Sequence, residues 1–296
     1  MKQETLVLYH GDCPSGDGFA AALAAWLALK DAASYVAVDY ASTAPLPAVE
    51  NKDVYVLDFH FEPDVLQTVC AHARSLTLLD HHKAAKDRLV GRTFQCACHA
   101  PARLLVDTSQ SGCVLAWRHF HPTLPLPALF KHIQDRDLWR WELPDSRAFL
   151  ARLDLEPKTF EAWSALLQQN QVQAHAFLQD GALLGRQRAL DCERMAKNAC
   201  AVNVNGVQGL MVNATHDWAD DVGNLLAKQC NTFGLVWFIT HDRRVKCSLR
   251  TLGQQVDANQ MARPFGGSGH KGAAGFYLPA SRLGALLEGS VALNPQ

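Results

Sequence analysis

Leu76-Thr77-Leu78-Leu79-Asp80-His81-His82 is a short apolar run that ends in one carboxylate and two imidazoles. Brief, apolar and bounded by polar residues, the run has the pattern of a buried strand. A strand that ends this way delivers ligands for a hard metal ion to the rim of a sheet. Open α/β sheets place their sites at that rim, at the carboxyl ends of the strands. Other apolar runs in the same half end alike: residues 5–9 lead into His10, Asp12 and Asp17, and residues 54–57 lead into Asp58. Residues 35–38 read as a further strand, and residues 19–30 and 65–73 as helices, the first rich in Ala and Leu. Strands alternating with helices predict a parallel sheet covered on both faces.

Beyond residue 100 the pattern turns helical, at 111–120 and 129–133, and residues 159–196 read as a connecting helical segment. Residues 201–204, 209–212, 234–240 and 245–249 then alternate with turns at Asn205-Gly206 and His241-Asp242, which suit hairpins. A Gly-rich loop at 266–275, a strand at Phe276-Tyr277-Leu278 and a last helix close the pattern. The expected fold is α/β and two-lobed. A parallel-sheet domain spans 1–155, a helical linker 156–196, and a smaller α/β domain with a mixed sheet 197–296.

The 296 residues are 48% hydrophobic and 19% charged, ample core material for two domains. A formal net charge of -1 argues against a protein that coats long duplex by counterion release, so a nucleic-acid ligand would be short or held locally. The nine cysteines are scattered, and Cys96-Ala97-Cys98 has no second pair to complete a zinc site. Most read as buried thiols of a reducing cytosol. The apolar stretch 19–29 is too short to span a bilayer and follows a polar, acidic loop, unlike a signal peptide. The expectation is a soluble, cytoplasmic protein with no membrane partner.

Four loops offer ligands: His10, Asp12 and Asp17; Asp58; Asp80-His81-His82; and Asp135, in the stretch His132 to Trp139. Carboxylates with imidazoles suit manganese, magnesium or iron, and the lack of paired thiolates argues against structural zinc. More ligands than one ion needs suggests two ions bridged by a shared carboxylate. Two-metal sites hold ions about 3.5–4 Å apart and activate hydroxide for in-line attack at phosphorus. Singly, each of these residues is also an ordinary turn residue or helix cap. Their recurrence after successive strands is what favours a joint site.

Four segments resemble the motifs of the DHH phosphoesterase superfamily: His10-Gly-Asp12-Cys-Pro-Ser-Gly-Asp17-Gly-Phe, Asp58-Phe-His, Asp80-His81-His82-Lys and Asp135-Arg-Asp137-Leu-Trp. That group includes RecJ-type exonucleases, nano-RNases, cyclic-dinucleotide phosphodiesterases and type II inorganic pyrophosphatases. Phe265-Gly-Gly-Ser-Gly-His270-Lys-Gly-Ala-Ala-Gly275-Phe is similar to the signature of the DHH-associated C-terminal domain, so the resemblance covers nearly the whole chain. It implies two Mn²⁺ ions per site, with Mg²⁺ or Co²⁺ as substitutes. It also implies His10, Asp12 and Asp58 on one ion, and Asp17, Asp58, His81 and Asp135 on the other. Asp58 would be the bridge. Asp80 would orient its neighbours, and His82 would face the substrate phosphate or the leaving oxygen.

This chain departs from many relatives by separating Asp12 from Asp17 with Pro14-Ser15-Gly16. Either the loop bulges or one acid alone ligates, and Asp17 is then the preferred one. His60 reads as a capping or packed histidine, and Asp137 as a structural partner of Arg136 or Arg140.

In the second half, the backbone N–H groups of Gly266, Gly267, Ser268 and Gly269 can approach an anion closely, with His270 and Lys271 on the same loop. Arg250, which ends a strand, carries a guanidinium suited to phosphate, or else is a surface charge. A cleft between the lobes would follow. Trp139 and Trp141 would stack a base there, or pack in the core or at the lobe interface.

The resemblance therefore implies a manganese-dependent phosphodiesterase or exonuclease hydrolysing short oligonucleotides or linear dinucleotides by a two-metal mechanism. The alternatives are a nucleotide 3′-phosphate or cyclic-dinucleotide phosphohydrolase, and a non-catalytic nucleotide-binding regulator. The intact ligand set speaks against the regulator. The Gly-rich tail speaks against a pyrophosphatase. Strand polarity, RNA or DNA preference and subunit number stay open, a homodimer among the alternatives.

Overall fold

The computed structural model describes residues 4–11, 13, 15–40, 45–252, 256–269 and 271–291. Asp12 and His270, both site candidates, lie outside the described residues. The chain divides into two compact units, Met1–Gly185 and Arg186–Gln296.

In the first unit, strands β1 (Thr5–His10), β2 (Ala33–Val38), β3 (Asp53–Leu57), β4 (Ser75–Asp80) and β5 (Arg103–Val106) form a parallel sheet. Their order is β2-β1-β3-β4-β5. The helices are α1 (Asp17–Leu29), α2 (Pro63–His72), α3 (Lys83–Leu89), α4 (Gly112–Phe120), α5 (Ala128–Asp137), α6 (Ser146–Leu153) and α7 (Phe160–Leu166). Alternate strand residues bury on opposite faces, as the pleat requires. Leu6, Leu8, Val54, Val56, Leu76 and Leu78 share a core with Leu66 and Val69 of α2 and Ala85 and Leu89 of α3. Val7, Leu57 and Leu79 share the other with α1, α4 and α5. Burial on both faces explains the continuous apolar runs in the sequence.

The long helix α8 (Gln171–Ala196) contains the boundary between the units. Trp163 of α7 and Phe177 of α8 are buried in the first unit's core, so residues 156–185 pack with that unit rather than standing apart.

The second unit has β6 (Cys200–Val204), β7 (Val207–Asn213), α9 (Ala219–Cys230), β8 (Phe233–Ile239), β9 (Arg244–Thr251), α10 (Ala258–Ala262), β10 (Ser268–Gly269), β11 (Ala273–Pro279), α11 (Leu283–Leu287) and β12 (Ser290–Val291). Its mixed sheet runs β10-β11-β9-β8-β7-β6-β12. β7 with β8 and β6 with β12 are parallel; the other neighbours are antiparallel. The hairpin between β6 and β7 turns at Asn205 (φ 49°) and Gly206 (φ 88°). Two successive positive φ values make the turn whose twist matches the strands it joins.

Candidate metal centre

The parallel register decides which side chains meet. Tyr9 stands opposite Leu57, and Leu57 opposite Leu79. The next residue on each strand is therefore His10, Asp58 or Asp80, side by side along one rim. At that rim the backbone of Asp58 turns left-handed, with φ of 55°, and its N–H donates to Leu79 O at 2.9 Å. A left-handed non-glycine residue costs about 1 kcal/mol or more, so the surroundings must hold it there. The start of α4 presses on it: a Cβ at Gly112 would lie 2.5 Å from Asp58 Cβ, so only glycine fits.

Asp17, the first residue of α1, is fully buried and accepts hydrogen bonds from Gly112 N (2.6 Å) and Cys113 N (3.1 Å). The N-terminus of α4 thus holds this carboxylate, as helix N-termini hold anions. His81 Nε2 lies 3.1 Å from Asp58 Oδ1, 3.5 Å from Asp137 Oδ2 and 3.7 Å from Asp17 Oδ2. His10 Nδ1 lies 3.5 Å from Asp58 Oδ2.

Two donor groups result, His10 with Asp58 and His82, and Asp17 with Asp58 and His81, each with its ligand atoms within 4.8 Å of one another. Asp58 belongs to both. Both its carboxylate oxygens, His10 Nδ1 and Asp137 Oδ2 are buried with no hydrogen-bond partner. Buried polar atoms are rarely left unpaired, and four together at one rim call for a cation. Oxygen and imidazole donors suit Mn²⁺, Mg²⁺ or another borderline-hard divalent ion, so these residues fit one.

The local electrostatics agree. Burial alone would depress the His81 imidazolium, but the contact with Asp58 and the charges of Asp137 and Asp17 outweigh it and raise its pKa to about 10. Burial, followed by the charges of Asp58 and Asp137, pushes the Asp17 carboxyl well above its ordinary range. Burial acts on Asp58 in the same direction, yet the contacts from His10 and His81 hold it down at about 2.

Asp135 is expected among the ligands and Asp137 outside them; the structure turns Asp137 toward His81 and Asp135 away from it. Asp135 Oδ1 accepts from Glu142 N (2.9 Å) and Oδ2 from Leu143 N (3.2 Å), so its carboxylate closes the loop after α5. Asp137 faces His81 and accepts from Ser15 Oγ at 2.7 Å. Two residues apart on a helix are about 200° apart around its axis, so only one of the pair can face the site. Arg136 and Arg140, the partners expected for Asp137, go elsewhere: Arg136 pairs with Asp154, and Arg140 donates to Ser109 O. Trp139 and Trp141 form an edge-to-face pair 5.3 Å apart, and Arg147 lies 4.0 Å over the Trp141 ring.

Asp80, fully buried, accepts from His81 N (2.7 Å), His82 N (3.2 Å) and His82 Nδ1 (2.7 Å) through Oδ1. Its Oδ2 lies 3.0 Å from His60 Nδ1. His60 is packed and buried, with its ring tied to Asp80 and to Tyr40 Oη at 2.8 Å.

In the second unit, Arg250 Nε donates to Asp220 Oδ1 at 2.6 Å and Nη1 to Leu249 O at 2.8 Å. The Gly-rich segment is half of a tight hairpin. Ser268 pairs with Gly275 and Gly269 with Ala274, and a Cβ at Gly267 would sit 2.3 Å from Gly275 O. Gly267 is thus small first of all because β11 presses on it.

No family model matches the chain. An uncharacterized protein of Acanthamoeba polyphaga mimivirus is 26% identical over 294 residues, covering 92% of this chain and 67% of that protein. Among solved structures, a DHH domain from a member of the s1p family of ribosomal proteins superposes with a TM-score of 0.63 at 12% identity, covering 97% of this chain and 86% of that one. The fold is that of a DHH domain protein. A pGpG-specific phosphodiesterase of Vibrio cholerae shares this DHH fold with a TM-score of 0.51 at 12% identity, over 96% of both chains. RecJ of Thermus thermophilus, solved with Mn²⁺, shares it with a TM-score of 0.52 at 14% identity, over 97% of this chain and 52% of that one.

Proposed function

We propose that the chain is a divalent-metal phosphoesterase, and specifically a manganese-dependent phosphodiesterase or exonuclease of short oligonucleotides or linear dinucleotides. The observation that carries this reading is Asp58, buried between two donor groups with both oxygens unpaired. The DHH fold supports it, since a pGpG phosphodiesterase and a Mn²⁺-bound RecJ share that fold.

His10, Asp12 and Asp58 would hold one ion. Asp17, Asp58, His81 and Asp137 would hold the other. Bound there, two such ions supply Lewis acidity toward a phosphoryl oxygen and lower the pKa of a water.

The chain's own residues do the rest. Asp58 holds both groups in one register from a backbone that cannot relax without displacing Gly112. The α4 N-terminus fixes Asp17 by two backbone hydrogen bonds, so its carboxylate is oriented before a substrate arrives. Asp80 grips His82 Nδ1, so His82 meets the phosphate or the leaving oxygen through Nε2. In the second unit, Gly267, Ser268, Gly269 and His270 would bind the anionic end of the substrate. Arg250 would assist, its guanidinium already oriented by Asp220.

No helix among the described residues is long and apolar enough to cross a membrane. All nine cysteines are free thiols, which fits the cytoplasm.

The test is direct. Protein stripped with chelator and reloaded with Mn²⁺ is assayed on pGpG, on di- to pentanucleotides, on a nucleoside 3′,5′-bisphosphate, on a cyclic dinucleotide and on pyrophosphate. Release of mononucleotides from the linear substrates is expected. No turnover across the panel, or turnover of pyrophosphate alone, overturns the reading.

A further inference from the structure

Next to the candidate metal centre lies a third group of donors, His60, Asp80 and His82. It differs from the other two groups in one respect. Asp58 leaves both oxygens unpaired, whereas each Asp80 oxygen has a hydrogen-bonding partner within the group. A paired set of this kind is a scaffold rather than a third ion site.

Resting on the phosphoesterase reading, we propose that His60 is a positioning residue: it fixes Asp80 and, through Asp80, the ring of His82. Oδ1 of Asp80 already serves three N–H groups of His81 and His82. Oδ2 lies 3.0 Å from His60 Nδ1, which selects the tautomer carrying hydrogen on Nδ1. Tyr40 Oη, 2.8 Å from the same nitrogen, is a second acceptor for that hydrogen. The Tyr40 ring packs on Phe59 (4.4 Å) and edge-on to His10 (5.3 Å) and His82 (6.1 Å), which closes the side of the group.

Without His60, Oδ2 is a buried anionic oxygen with no donor, and the carboxylate regains rotation about its Cβ–Cγ bond. Rotation exchanges the two oxygens and releases His82 Nδ1. Partners of this kind, one step removed from the reacting groups, typically change activity by about 10–100-fold.

Two polar substitutions separate positioning from bulk. An Asn amide places an N–H where Nδ1–H stands, and a Gln amide reaches the Nε2 position instead. His60→Gln should lower kcat about 10–100-fold with KM within about twofold, the mark of an interaction made in the transition state. His60→Asn should recover most of that loss. Equal kcat in the two variants, or a change in KM alone, overturns the proposal.

A second measurement needs no turnover. In ¹⁵N-histidine-labelled protein with Mg²⁺, the His82 Nδ1–H proton should be visible in wild type and His60→Asn and be lost to exchange in His60→Gln. Its persistence in His60→Gln overturns the positioning role. Its loss in His60→Gln, in a protein inert on every phosphate ester, leaves positioning standing and removes the phosphoesterase reading instead.

Discussion

Asp58 combines full burial, φ of 55° and two unpaired carboxylate oxygens, while its contact with His81, with the charges of Asp137 and Asp17, raises the pKa of that imidazole to about 10. Asp58→Asn keeps the shape and halves the ligand capacity. Turnover should fall by about a thousandfold or more, with far-UV circular dichroism unchanged, because each catalytic ion is worth several kcal/mol. Metal uptake should also expel a proton. The His81 pKa of about 10 in the metal-free site means a cation must displace that proton to reach the ring nitrogen. Affinity should therefore rise with pH, by up to about tenfold per unit between pH 7 and 10, and flatten above. Calorimetry in buffers of different ionisation enthalpy measures the release; a pH-independent affinity would contradict it. Asp135 and Asp137 make the complementary pair. Asp137→Asn should weaken metal binding by more than the about 10–100-fold that loss of an outer partner of a ligand costs. Asp135→Asn should leave the metal stoichiometry intact and cost about 1–3 kcal/mol in urea unfolding, since the amide keeps one acceptor oxygen and turns its NH2 donor toward the other backbone N–H. The sequence shows two acids close together on a helix end. Which of them faces inward depends on how α5 is rolled against the sheet, and no local pattern encodes that. The same holds for Ser15, whose bond to Asp137 joins residues 122 apart in the chain.

At the scale of elements, the strands were legible because parallel strands buried on both faces have no choice but continuous apolar runs. β5 is not marked by the sequence, because it lies at the sheet edge with Arg103 and Leu105 exposed and its apolar run is only Leu104-Leu105-Val106. The contact of α1 with β1 depends on one glycine: a Cβ at Gly18 would sit 2.1 Å from His10 O. Gly18→Ala must either tilt α1 or push His10 off the rim, and should cost about 3 kcal/mol or more together with metal binding. At the opposite end of β3, Asp53 receives Arg74 Nε (2.9 Å) and Ser75 Oγ (2.6 Å), and these donors hold its carboxyl below the ordinary value. A lowered carboxyl stabilises the fold above its unfolded pKa of about 3.9 and stops doing so as pH falls through the lower folded value. Both partners are partly exposed, so Asp53→Asn should cost no more than about 1 kcal/mol at pH 7. The difference from wild type should shrink steadily in acid; a gap that widened below pH 4 would assign the effect to something other than this charge.

At the scale of the molecule, the two halves were readable as separate patterns, continuous apolar runs between helices first and hairpins second, because each unit closes its own core. The exact seam was not, since it falls inside α8, where a continuous helical pattern marks no break. The division has a thermodynamic consequence. The histidines and carboxylates of the centre, His10, Asp17, Asp58, His81 and Asp137, all lie in the first unit. A cation that binds only the folded form stabilises it by about 2.7 kcal/mol at a concentration 100 times its Kd. For a unit of this size that is a rise of roughly 5–10 °C in Tm. Hydrogen exchange should localise the gain. With Mn²⁺ or Mg²⁺ added, amides in the turns after β1, β3 and β4 and at the starts of α1 and α4 should slow, because those turns carry the ligands. Amides of β7, β8 and β9 in the second unit should keep their metal-free rates at sub-saturating denaturant. Equal slowing in both units would mean that the ion is held by residues other than those gathered at the β1–β3–β4 rim.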